Sequence, residues 1–187
     1  MPSSRSQWVA TYDQKPSLTS VSYSKVEIEK QWAHMQIQIT LAEHNDIAPW
    51  MLLAEQVIPL FGPMPDFEAI LGRKIAQKQA YCARMSAHKT TLAGGVLIGG
   101  TGREHWIRWL AVSSEHRRLG VGRMLVQTAI SFIPANSSIY VDTFVEGSVG
   151  ADAANRLYES CGFAPMEVWQ VDDLVRQRYV RPPSVSV

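Results

Sequence analysis

The 187-residue chain has only two cysteines, Cys82 and Cys161, far apart and with no Cys-x-x-Cys or Cys/His spacing. This rules out a disulfide framework of the kind that holds small secreted domains and supplies no zinc-ligand pattern. No metal is expected, and a reducing cytoplasm fits. An excess of either charge is also missing: 18 basic and 17 acidic side chains leave a formal charge of +1. No overall field therefore draws the protein to nucleic acid or to an anionic membrane, and any recognition of charge must be local. Apolar runs nowhere approach the roughly 18–20 residues of a membrane span, and residues 1–24 contain no apolar h-region. Neither a membrane span nor a signal peptide is expected. Internal repeats and low-complexity blocks are absent as well.

What is present is a 46% hydrophobic chain, enough for one sizeable core and too short for two ordinary domains. Residues 1–34 read as an N-terminal arm, 35–180 as one domain and 181–187 as a tail. Residues 35–40 alternate apolar and polar side chains and predict a strand with one buried face. Asp46 is placed to cap a helix whose stripe of Trp50, Leu53, Ala54, Val57 and Leu60 runs to the Gly62-Pro63 break. Pro65-Asp66 opens a second helix, with Phe67, Ile70, Leu71 and Ile75 on one face and Arg73, Lys74 and Lys78 on a solvated one. Residues 80–87 and 92–100 predict paired strands joined around 88–90, and Gly94-Gly95 a bulge or a close backbone approach. A strand over 105–112, a helix over 122–132, a strand over 138–145, a helix over 152–161 capped by Gly162 and a last strand over 167–175 follow.

The chemically informative segment is Arg117-Arg118-Leu119-Gly120-Val121-Gly122, between a strand and a helix. Unpaired amides and the positive dipole end at a helix N-terminus suit a pyrophosphate. Gly120 and Gly122 allow close backbone approach, either can adopt positive φ, and Arg117, Arg118 and Arg123 add local charge. A plain strand-to-helix turn with solvated arginines is the alternative. A dinucleotide turn fails because Leu125 occupies the third glycine position and a long polar connection, 113–119, precedes the glycines. No Gly-Lys-Ser/Thr follows, which excludes a triphosphate P-loop.

Leu110-Ala111-Val112, the Arg117–Gly122 turn, Ala154, Leu157-Tyr158 and Gly162-Phe163 together resemble the core of the GNAT superfamily of coenzyme A-dependent N-acyltransferases. The resemblance spans about residues 105–165, and the order of elements extends it over most of 35–180. It implies an α/β (α+β) fold: a central mixed sheet splayed between the fourth and fifth strands and flanked by about four helices. It further implies that Leu110, Ala111 and Val112 meet the pantetheine arm and thioester of acetyl-CoA, while Arg117, Arg118, Leu119, Gly120, Val121, Gly122 and Arg123 hold the phosphates. Tyr158 corresponds to the general acid that protonates the departing thiolate; a phenol of pKa about 10 is protonated at neutral pH. Packing before the Gly162-Phe163 turn is the other role for it. Asn155, one turn earlier, could bond the pantetheine amides, cap or face solvent; Ala151 stands where the family more often has asparagine.

The activity so implied is transfer of an acetyl group from acetyl-CoA directly to a primary amine, with backbone amides near Ala111 and Val112 polarising the carbonyl. The alternative is a non-catalytic acyl-CoA-binding or sensing module. The acceptor would be a small molecule or a peptide amine, and the resemblance allows a homodimer. A protonated amine needs a base or a water chain, yet Trp106 stands where many relatives carry glutamate. Asp142, Glu146, His105 and Glu104 are the remaining candidates. Strand alternation puts Trp106, Arg108 and Leu110 on one face and Ile107, Trp109 and Ala111 on the other. On that pattern Arg108 is expected to pair with a carboxylate such as Asp142, or else to orient an anionic group of the acceptor. The tryptophans, Trp50, Trp106 and Trp109 among them, belong to the core or line an acceptor pocket.

Overall fold

The computed structural model describes residues 36–86 and 90–184. The arm expected over 1–34, the turn centre His88-Lys89 and the end of the expected tail, 185–187, lie outside the described residues. The strands are β1 (Ile37–Leu41), β2 (Ala80–Met85), β3 (Gly94–Thr101), β4 (Glu104–Val112), β5 (Ser138–Thr143), β6 (Ala164–Val171) and β7 (Leu174–Arg181). The helices are α1 (Ile47–Phe61), α2 (Phe67–Ala76), α3 (Val121–Phe132) and α4 (Ala151–Ser160). All seven strands form one sheet in the order β1-β2-β3-β4-β5-β7-β6, antiparallel throughout except for the parallel pair β4 and β5.

Two cores lie on the two faces of this sheet. One face is covered by α3 and α4, whose Val121, Leu125, Val126, Ala129 and Tyr158 pack with Val96, Ile107, Ile139 and Val141. The other is covered by α1 and α2 through Trp50, Leu53, Val57, Phe67 and Leu71, packed on Cys82, Leu97, Trp109 and Ala111. Gly94-Gly95 serves both faces by close approach. A Cβ at Gly94 would lie 2.8 Å from the Ala111 carbonyl oxygen and 3.0 Å from Leu125, and one at Gly95 only 2.6 Å from the Trp50 ring.

Four details depart from the sequence pattern. The final strand is a hairpin: β6 turns at Asp172, with φ of 52°, into β7, which inserts between β5 and β6. Asp46 makes no side-chain cap bond to α1; its carboxylate accepts the Glu43 N–H at 2.7 Å and pairs with Arg84 of β2. Phe132, which the helical pattern over 122–132 offers to the core along with Met124, Leu125 and Ala129, is instead 62% exposed and stacks on Tyr81 at 4.7 Å. Most consequential is β4, where Leu97 pairs with Trp109 but Ile98 with Ile107. Arg108 is thus the extra residue of a β-bulge, and the alternation reverses across it. Ile107 joins the α3/α4 core, Trp109 and Ala111 join the α1/α2 core, and Leu110 and Val112 pack toward α3 and α4.

Candidate active site

β4 pairs with β5 only from Glu104 to Ile107, opposite Ser138 to Val141. Beyond Ile107 the two strands part, while β4 stays paired to β3 through Val112. The edge of Leu110-Ala111-Val112 that faces the gap therefore has no strand partner, and an extended amide-bearing chain can add to such an edge. The sheet is splayed between the fourth and fifth strands, as the resemblance implied.

The strand leads through Ser113 and a single 3-10 turn, Ser114–His116, to the glycine turn. Arg118 and Gly120 both adopt left-handed backbone, φ 62° and 81°. For arginine this conformation costs about 1 kcal/mol or more, which glycine avoids. The first bond closing α3 runs from the Met124 N–H to the Gly120 carbonyl at 3.0 Å, so the amides of Val121, Gly122 and Arg123 are left over at the helix start. Gly122 has a different reason to be glycine from the one expected. Its φ is not positive, and a Cβ there would meet Leu157 at 3.3 Å and Val112 at 3.5 Å, so it lets the start of α3 close against α4 and β4. Arg117, Arg118 and Arg123 are exposed and form no ion pair with the described residues.

Tyr158 and Asn155 lie on α4, which begins after Gly150, itself left-handed, and ends before Gly162, φ 83°. Tyr158 is buried in the same core against which Leu110 and Val112 pack, its ring 5.6 Å from Phe163 and 6.2 Å from Tyr179. Its hydroxyl makes no hydrogen bond to a described residue. Burial, and secondarily the Cys161 thiol, push the phenol well above the ordinary tyrosine value, which keeps it protonated. The Asn155 side-chain oxygen is buried without a partner, as are Nδ1 of His116 and Nε1 of Trp109. Buried polar atoms are normally paired, so these are natural contact points for a ligand or water.

A cluster of aromatic and guanidinium groups gathers around Trp106. Its ring lies 5.0 Å from Tyr140, and the guanidinium carbons of Arg108 and Arg178 stand 4.7 and 4.9 Å from its centroid. The expected pairing of Arg108 with Asp142 does not occur. Asp142 is taken by Arg178, which donates from Nε at 2.8 Å and from Nη2 at 3.2 Å and also reaches Glu167 at 2.8 Å. Arg108 avoids the cost of burial because the bulge leaves it exposed.

Of the candidate bases, Asp142 is already neutralised and Glu146 is exposed beyond β5. Glu104 and His105 sit at the end of β4 away from the gap, where His105 Nε2 lies 3.2 Å from the Gly102 carbonyl oxygen. Arg178 was missed because β7 was; the Asp172-Asp173 pair between two alternating segments was its signal. Lys74, expected in solvent, is half-buried and donates to the Gln79 side chain at 2.7 Å. The tryptophans divide: Trp50 and Trp109 pack at 5.2 Å within the α1/α2 core, while Trp106 lies outside it. Among the described residues no helix is long and apolar enough to cross a membrane.

A family model described as an acetyltransferase (GNAT) domain matches residues 76–165. No curated protein sequence matches the chain. Solved structures similar in fold include the NatC complex bound to Gag peptide and CoA, at 21% identity and TM-score 0.64, covering 80% of this chain and 100% of that one. The ribosomal-protein-S18-alanine N-acetyltransferase from Escherichia coli is 17% identical at TM-score 0.62, covering 81% and 97%. The diaminobutyrate acetyltransferase EctA from Paenibacillus lautus, in complex with its substrate and coenzyme A, is 16% identical at TM-score 0.60, covering 80% and 96%. With β4 and β5 parted and a left-handed glycine turn opening α3, the chain has the fold of these acetyltransferases, and the stretch that carries both features, within residues 76–165, matches the GNAT acetyltransferase domain model.

Proposed function

We propose that the protein is an N-acetyltransferase that moves an acetyl group from acetyl-CoA directly to a primary amine. The observation that carries this reading is the parting of β4 from β5 after Ile107 and Val141, beside a helix start with unused amides. An extended pantetheine fits the partnerless edge of Leu110, Ala111 and Val112, and a pyrophosphate fits the amides of the Arg118–Arg123 segment. Arg117, Arg118 and Arg123 add charge there, and the orphaned Asn155 oxygen would accept a pantetheine amide N–H. NatC with CoA and EctA with coenzyme A have the same fold, which supports a coenzyme in this gap.

In this reading, backbone amides near Ala111 and Val112 polarise the thioester carbonyl, the amine attacks, and Tyr158 gives its hydroxyl proton to the leaving sulfur. With Trp106 in the usual carboxylate position and Asp142 held by Arg178, the proton of the acceptor ammonium leaves through water rather than to a dedicated side chain. Cys161 takes no part, since direct attack needs no thiol nucleophile. The domain would be residues 35–180, working in the cytoplasm, where the free thiols Cys82 and Cys161 stay reduced.

The test is release of free coenzyme A thiol from acetyl-CoA over a panel of amines, with coenzyme binding measured in parallel. Saturable, amine-dependent release supports the reading. Coenzyme binding without release under any amine would leave an acyl-CoA sensor in its place.

A further inference from the structure

Trp106 has a guanidinium near its ring from each of two arginines, and the two differ in what balances them. Arg178 is held by Asp142 and Glu167. Arg108 has no acidic partner among the described residues. Beside it is a second cation in the same position. The Lys74 ammonium lies against Gly99, where a Cβ would come within 2.6 Å of Nζ and 3.6 Å of the Arg108 side chain, so the missing side chain of Gly99 makes room for both. Nζ donates to Gln79, a neutral acceptor. Burial and then the charges of Arg108 and Arg73 lower the Lys74 pKa, and no acid offsets them. Two unbalanced cations drawn together next to an aromatic ring repel each other until an anion joins them.

Their place in the fold ties this pair to the site. Arg108 is the first residue of β4 beyond the last one paired with β5, at the mouth of the gap. Its side chain shares the space over Gly99 with Lys74 of α2, which puts it on the α1/α2 side, opposite the core that holds Tyr158. A donor entering along the partnerless edge of β4 and an acceptor resting on Trp106 would thus meet where the strands part.

We propose that Arg108 and Lys74 form an anion subsite for the acceptor, so that the amine substrate is a small molecule bearing a carboxylate or phosphate, its aliphatic part lying on Trp106. The proposal rests on the acyl-transfer reading above. The guanidinium supplies a planar pair of donors and the ammonium a point charge, which suits either oxyanion.

The experiment compares kcat/KM at saturating acetyl-CoA for matched amines: 4-aminobutyrate against butylamine, and O-phosphoethanolamine against ethanolamine. It is accompanied by calorimetric binding of 4-aminobutyrate and of phosphoethanolamine to the protein with coenzyme A present. A preference of tenfold or more for the anionic member is expected, and whichever pair shows it separates carboxylate from phosphate. Arg108→Gln and Lys74→Gln should each collapse that ratio toward one, whereas Arg108→Lys should retain part of it and Arg73→Gln all of it. Circular dichroism checks that each variant is folded. A wild-type ratio near one, or a preference that survives both glutamine variants, overturns the subsite while leaving acyl transfer standing. Binding of the anionic amines that depends on Arg108, with no thiol release from any amine of the panel, keeps the anion site and removes the transferase reading. Absence of both overturns the subsite too.

Discussion

Ile107 and Trp109 lie two residues apart on β4 and face opposite sides of the sheet, Ile107 toward α3 and α4 and Trp109 toward α1 and α2. The bulge at Arg108 sends the Trp109 ring among Trp50, Phe67 and Phe61, at 5.2, 5.0 and 6.0 Å. Because this cluster holds α1 and α2 on the sheet, Trp109→Ala should cost about 3–5 kcal/mol in urea unfolding. Trp109→Phe should cost clearly less. It keeps most of the ring contact and removes an indole N–H that has no partner. Equal losses for the two variants would mean that the cluster does not depend on ring packing.

Two glycines should respond in opposite directions to the same change. At Gly95 an added methyl would sit 2.6 Å from the Trp50 ring, which is wedged in the core, so Gly95→Ala should destabilise by about 1–3 kcal/mol through overpacking. At Gly72, inside α2, an added methyl meets nothing within 4 Å. Gly72→Ala should stabilise by up to about 1 kcal/mol through helix propensity alone. Thermal melts of the two variants check both signs.

What the sequence made legible follows from local rules. Amphipathic stripes, the left-handed Gly62 and Gly162, and the Arg118–Gly122 turn are written in consecutive residues, and the structure has them in place. What escaped depends on partners distant in sequence. The bulge arises only in the pairing of β4 with Leu97 and Ile98, so a period-2 reading put Ile107 and Trp109 on the same side. Asp142 has Arg178 rather than Arg108 because β7, not β4, supplies its neighbour in space. Lys74 looked solvated since nothing near it in sequence shows that Gly99 lies beneath it.

Gly120 tests the donor half of the proposed site. Its φ of 81° with open space around the Cβ position means that a side chain there is penalised by backbone conformation rather than by collision. Gly120→Val should cost about 1–2 kcal/mol of stability, and the turn should escape the strain by leaving its left-handed form. Acetyl-CoA affinity should then fall at least tenfold, because the amides of Val121, Gly122 and Arg123 lose their common direction. Normal affinity by calorimetry would mean that the phosphates are held elsewhere.

Cys82 separates burial from reactivity. Burial pushes its thiol up to about 11, against an ordinary value near 9, and the Trp50 indole N–H donates to its sulfur at 2.9 Å. At pH 8 a maleimide should therefore modify the partly exposed Cys161 and spare Cys82 until the protein unfolds. Because the folded pKa lies above the unfolded one, the folded chain binds more protons between about pH 9 and 11. Stability should fall across that window. Cys82→Ala should reduce the fall by about 2–3 kcal/mol, read by comparing urea unfolding at pH 8 and 11. An identical pH dependence in both proteins would place the titration elsewhere.

Tyr158→Phe isolates the hydroxyl. The ring keeps its neighbours Phe163 and Tyr179, and the hydroxyl has no bond to a described residue to lose, so the melting temperature should barely move. Turnover should fall about 100-fold or more while acetyl-CoA affinity holds, since proton donation to the leaving sulfur occurs in the transition state and not on binding. Burial raises the phenol, so the protonated donor persists past the usual tyrosine range. The rate of the wild type should therefore show no decline from Tyr158 ionisation between pH 7 and about 10. A raised pKa also makes the phenol a reluctant acid until a thiolate forms beside it, which confines its contribution to the leaving-group step. If the phenylalanine variant turns over at the wild-type rate, another donor protonates the sulfur.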